Sequence, residues 1–214
     1  MRIFSEVLFY LFHPLFLVTY GLIILISIDP FSFGEREIMG EFPLLVITVI
    51  YTIFFPLISM LVMRLVGFID TMQLKGHKER IGPLIVTMVF YTWMYVNVRE
   101  NPDIPVTFSV LTMGSIIALG LAFLVNVFDK ISLHSTGLGG LVGFTGILIF
   151  AYHYAWIRIG GLSFKLGVAF FMLLIISGCV GTARMKLKAH NLSQIYGGFM
   201  IGLLGQVAAW RFLL

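Results

Sequence analysis

A chain of 214 residues that is 59% hydrophobic and 11% charged departs from the roughly 45–50% and about 25% of a soluble domain. With a mean hydropathy of +1.03 spread along the whole length, the composition excludes a water-soluble globule, a disordered chain and a fibrous one. A net charge of +4 in so apolar a chain cannot build a surface that tracks phosphates, so no nucleic-acid partner is expected, and the single cysteine, Cys179, allows neither an intramolecular disulfide nor a cysteine-based zinc site.

The apolar runs predict one all-α, polytopic membrane domain over 1–214, with about six to seven transmembrane helices in one bundle. The first run, 7–28, has no small-residue cleavage site and reads as a retained span, with His13 beside Pro14 as helix-kink packing. After the turn-rich DPFSFGEREIMGE, further spans are expected at 42–69, 81–98, 106–128, 138–157, 163–183 and 194–210. No ten-residue alternation of the barrel kind appears. The glycine-rich GLGGLVGFTG and YGGFMIGLLG mark faces where helix backbones approach closely. His153, in FAYHYAW, reads as part of an interfacial aromatic belt.

Polar residues are costly near hydrocarbon, so their positions are informative. Three segments stand out: QLKGHKERIGP at 73–83, DKISLHSTG at 129–137 and ARMKLKAHNLSQ at 183–194. Two spans separate the first from the second, and two more separate the second from the third. All three must therefore face the same side. Pooled, they bring Lys75, Lys78, Arg80, Lys130, Arg184, Lys186 and Lys188 together with His77, His134 and His190. The opposite side is nearly balanced in charge, so the positive-inside rule assigns the basic face to the cytoplasm of a multi-pass cell-membrane protein.

The spacing specifies chemistry. Arg184 offers a planar fork of donors for phosphate oxygens. His190 and Gln194 stand one helical turn apart, so the glutamine can hold one imidazole nitrogen and leave the other as base or nucleophile. Ser132 and His134 sit in a turn at a helix mouth, where backbone N–H groups also favour an anion. Cations beside two histidines suit phosphoryl transfer through a phosphohistidine, His134 protonating the leaving oxygen.

A basic segment with a nearby proline, a Ser-x-His turn and Arg-x5-His-x3-Gln together resemble the type 2 phosphatidic acid phosphatase superfamily of integral membrane lipid phosphatases. The resemblance covers 75–83, 130–137 and 183–194, and Phe12-His13-Pro14 in the first run is similar to a divergent bacterial branch, which implies a bacterial inner membrane. It implies His190 as nucleophile, His134 as general acid and Gln194 as the group orienting His190. Arg184, Arg80, Lys75 or Lys78, and Ser132 would bind substrate phosphate. No metal and no other cofactor is implied; the partners implied are the lipid bilayer and a phosphorylated lipid or prenyl substrate. The chain departs from the family where Gln73 stands for a lysine, where Ile131-Ser132-Leu133-His134 stands for Pro-Ser-Gly-His, and where Gln194 stands for an aspartate. The last departure keeps open an alternative, a non-catalytic relative that binds or translocates a phosphorylated lipid.

Overall fold

The computed structural model describes residues 2–29, 33, 42–74, 76–152, 155–159 and 161–214, with side chains from residue 6 onward. Lys75, His153 and the acidic stretch 35–41 lie outside the described residues. The first apolar run is two helices rather than one span. Proline cannot donate within a helix and drives the residue before it into extended backbone. Thus α1 (Arg2–Leu11) ends ahead of His13, which is extended at φ −62°, ψ 136°, and a 3₁₀ turn Pro14–Phe16 leads into α2 (Leu17–Ile28). At about 1.5 Å per residue, α2 is too short to span the roughly 30 Å hydrocarbon core alone.

The next helix runs over Phe42–Leu65 as α3 (Phe42–Val49), a π turn Ile50–Phe54 and α4 (Phe55–Leu65). The wide turn comes just ahead of Pro56, which has no N–H to close the ladder. Then follow α5 (Ile81–Arg99), α6 (Val106–Phe128) and α7 (Leu133–Ala151). The expected span 138–157 ends early: Trp156–Ile159 (β1) pairs antiparallel with Leu162–Lys165 (β2) in a hairpin turning through Gly161 at φ +82°. A short apolar, β-branched stretch does not distinguish strand from helix by periodicity. The chain closes with α8 (Leu166–Lys186) and α9 (Leu192–Leu213).

Among the described residues, 6 helices are long and apolar enough to cross a membrane. The fold is a polytopic all-α bundle. Large apolar side chains such as Leu61, Phe171, Ile175 and Leu204 are exposed along its flanks, as expected where acyl chains are the solvent. The main core joins Leu22, Leu25 and Ile26 of α2 to Met94 of α5, Phe108 of α6, and Phe144 and Leu148 of α7.

Helix α9 lies against α6 and α7 through glycine notches. A Cβ at Gly198 would stand 2.6 Å from the Ser132 carbonyl oxygen, and one at Gly205 2.6 Å from that of Gly114. These approaches bring the starts of α7 and α9 side by side, and with them the second and third polar segments. Gly205→Ala is expected to cost about 1–3 kcal/mol by overpacking against rigid backbone. Gly178→Ala, where a Cβ meets nothing within 4 Å, is expected to hold or raise stability, since alanine favours a helix. Thermal melts of both variants in detergent check the contrast, and equal melting temperatures would refute it.

Candidate functional site

Hydrogen bonds draw the three polar segments together at one end of the bundle. Asn126 near the end of α6 donates through Nδ2 to the His77 carbonyl at 2.6 Å, and the His77 Nδ1 lies 3.2 Å from the Asn126 carbonyl. Arg80 donates from Nη1 to the Ile131 carbonyl at 2.8 Å and from Nε to the Leu74 carbonyl at 3.0 Å. Leu74 takes a left-handed backbone, φ +46°, which a non-glycine residue adopts at a cost. The Ser132 N–H donates to the Gln194 carbonyl at 3.2 Å. First meets second, and second meets third.

A cavity of about 140 Å³ opens at this junction, and Arg80, His134, Arg184 and His190 all line it. Its inner wall is mainly apolar, with Leu84, Leu111, Ala118 and Leu141, and reaches Gln206 in the middle of α9. Four of the residues from the three polar segments thus meet at one space. Ser132 is fully buried as the N-cap of α7, its hydroxyl accepting from the Ser135 N–H and the Ser135 hydroxyl, and it stands outside the cavity lining. Lys78 is exposed and also outside the lining. Gln194 stands behind His190 rather than in the cavity.

The imidazole of His190 is anchored by Nδ1, 3.1 Å from Gln194 Oε1. Helix α9 does not reach back to His190; Asn191 is its N-cap, and a capping box joins Asn191 and Gln194. The same Oε1 accepts from the Asn191 N–H at 3.4 Å. A backbone N–H only donates, so the amide is fixed with its oxygen toward His190. The Nδ1 of His190 is then the protonated nitrogen, and Nε2 keeps its lone pair. Gln194 Nε2 in turn donates to Asp129 Oδ1 at 3.5 Å.

Burial holds the His190 pKa down to about 4; the Gln194 hydrogen bond opposes the shift, and Arg80, Arg184 and Lys130 add to it. Burial first, then Arg80 and Arg184, lower the Lys130 ammonium as well. His190 is therefore neutral at pH 7. Its folded pKa lies below the ordinary 6.5, so the unfolded chain takes up the proton first as pH falls. The stability that the neutral ring contributes is complete above pH 6.5 and is lost progressively toward pH 4.

The first helix supplies what the sequence motifs do not. The Phe9 ring stacks on His134 with centroids 4.7 Å apart, and the Arg184 guanidinium lies over the same ring at 4.9 Å. His134 Nε2 is 3.2 Å from the Phe9 carbonyl, which only accepts, so His134 is anchored through Nε2 and Nδ1 is left for other work. The two imidazoles are thus held by opposite nitrogens. His13 lines the cavity too, its ring 5.5 Å from that of His134. The one hint in the sequence was an ionisable side chain beside a proline within an apolar run.

Arg184 Nε is buried with no hydrogen-bond partner. A charged donor so placed is costly until an acceptor arrives. No three His, Cys, Asp or Glu side chains converge as a metal site requires among the described residues. Comparison with protein-family models, with curated proteins and with solved structures finds no match.

Proposed function

We propose that this membrane bundle is an integral membrane phosphatase that hydrolyses a lipid phosphate or prenyl diphosphate through a phosphohistidine, as the resemblance to the type 2 phosphatidic acid phosphatases implies. The observation that carries the reading is the convergence of Arg80, His134, Arg184 and His190 on one cavity with an apolar interior. The guanidiniums bind the phosphoryl oxygens, and the tail lies among the apolar side chains below. By the positive-inside rule the site opens at the cytoplasmic face.

The chemistry follows from the two anchored rings. A phosphate monoester retaining one proton, whose second pKa is about 6, passes it to His134 on entry. The Nε2 lone pair of His190 attacks phosphorus, the P–O bond to the lipid alcohol breaks, and His134 returns the proton to the leaving oxygen. Water then attacks phosphorus and gives up a proton to His134, the P–N bond breaks with its electron pair returning to His190 Nε2, and phosphate departs with the proton that His134 holds. Arg80 and Arg184 balance the charge of the equatorial oxygens throughout.

The test is phosphate release by the purified protein from a panel of lipid phosphates and prenyl diphosphates in mixed micelles. Arg184→Ala is expected to lower kcat/KM about a hundredfold or more, the scale of removing one charged transition-state contact. A panel that yields no phosphate overturns the hydrolase reading. The acid limb of kcat/KM is expected near the His190 pKa of about 4 rather than at the ordinary histidine value, because only the neutral ring attacks. An acid limb at pH 6 to 7 in the measured profile would contradict that assignment.

A second reading rests on Gln194. Without a carboxylate behind His190, the cavity can hold a phosphorylated lipid without turning it over, as a binder or translocator. It predicts saturable lipid binding that Arg184→Ala abolishes, with no phosphate released.

A further inference from the structure

His13 belongs to none of the three polar segments, yet it stands in the cavity beside His134. It is the N-cap of the 3₁₀ turn, its Nδ1 accepting from the Leu15 N–H at 3.5 Å. Since a backbone N–H only donates, Nδ1 carries the lone pair and the proton of the neutral ring sits on Nε2. Among the described residues, no other hydrogen bond engages this ring. His13 therefore offers the cavity a fixed N–H donor, whereas His190 offers a lone pair.

Around this donor stand Arg184, whose Nε is buried and unpartnered, and His134 with its Nε2 committed to Phe9. An anionic acceptor is the ligand that satisfies the His13 donor and the unpartnered Arg184 N–H together. We infer that His13 Nε2–H is a direct ligand of the bound phosphoryl group, so that the N-terminal helix–turn–helix completes the anion site. The inference rests on the phosphatase reading for the identity of the ligand but concerns anion binding, which needs no turnover. It assigns His13 a hydrogen-bonding role; a neutral imidazole is too weak an acid to protonate the leaving oxygen, and that proton remains with His134.

The experiment separates this role from capping. Asparagine is among the best N-cap residues, so His13→Asn keeps an acceptor for the Leu15 N–H while its shorter side chain withdraws from the cavity. Orthovanadate and inorganic phosphate are titrated calorimetrically into the full chain in detergent, beside a thermal melt. Wild-type binding that His13→Asn weakens about tenfold or more, as expected for loss of a hydrogen bond to a charged group, with an unchanged melting temperature, supports the inference. Unchanged affinity in His13→Asn, with binding lost in Arg184→Ala, overturns it and leaves the phosphatase reading standing. No binding of either anion to the wild type overturns both. Should His13→Asn fail to fold, nitrogen-15 spectra of the wild-type imidazoles decide: a His13 Nε2–H signal that shifts on phosphate addition supports the contact, and one that does not move overturns it.

Discussion

His190→Ala is expected to reduce phosphate release roughly 10⁴-fold or more, the scale on which removal of a covalent nucleophile acts, while leaving phosphate affinity within about threefold of wild type. The split follows from the geometry. His190 is anchored through Nδ1 by Gln194 and held neutral by burial, so it contributes a lone pair to the reaction and little to anion binding. The anion is gripped by Arg80 and Arg184, whose side chains are fixed independently: Arg80 by the Leu74 and Ile131 carbonyls, Arg184 against the Phe9 ring. Rapid acid-free quench with a radiolabelled lipid phosphate is expected to trap label on the wild-type protein and none on His190→Ala. Turnover unchanged in His190→Ala would remove the phosphohistidine from the scheme. Turnover absent from both proteins, with lipid binding retained, would favour the binder.

Meeting of the motifs was legible in the sequence because it depends on topology alone. An even number of apolar runs lies between Arg80 and His134 and again between His134 and His190, and the structure fills each interval with two helices, α5 with α6 and α7 with α8. Likewise the contact between His190 and Gln194 was legible as a four-residue interval, although the helix begins only after Asn191. Local competition is harder to read. Ser132 is turned inward by the cap it makes to Ser135, a bond that a serine at a helix start makes wherever it can. The role of Phe9 was not legible and that of His13 only hinted at: a kink at Pro14 is expected from the sequence, but hydropathy counts 7–28 as one run and does not show that the chain turns there into two helices. Only once the chain turns there does the carbonyl of residue 9 reach a histidine 125 positions away. The hairpin after α7 was hidden for a different reason: WIRI and LSFK are four residues each, too short for periodicity to tell strand from helix, and they lie between two long apolar runs.

Gln194→Glu is expected to raise turnover, and more so when combined with Asp129→Asn. In serine proteases, exchanging the carboxylate behind the histidine for an amide costs about 10⁴ in kcat; the reverse exchange here supplies a charge to stabilise the imidazolium that His190 becomes as the P–N bond forms. Glutamate is isosteric with Gln194 and preserves the capping box, so the helix start is undisturbed. The single variant nevertheless places a carboxylate against Asp129, which Gln194 Nε2 now approaches at 3.5 Å. Like charges at that distance oppose each other and draw a proton to the pair. This juxtaposition gives a physical reason for an amide at position 194: its oxygen serves His190 while its nitrogen tolerates the Asp129 carboxylate. Asp129→Asn removes the repulsion, so the double variant is expected to gain about tenfold to a hundredfold over the single one, the yield of roughly one to two tenfold steps at 1.4 kcal/mol each. Both variants are expected to move the acid limb of the pH profile upward from about 4, since a carboxylate beside Nδ1 favours the protonated ring. Measured kcat and its pH dependence for the two single variants and the double decide the matter; equal rates in all three, with unshifted limbs, would show that Gln194 holds His190 in place and that charge behind the ring is immaterial to this site.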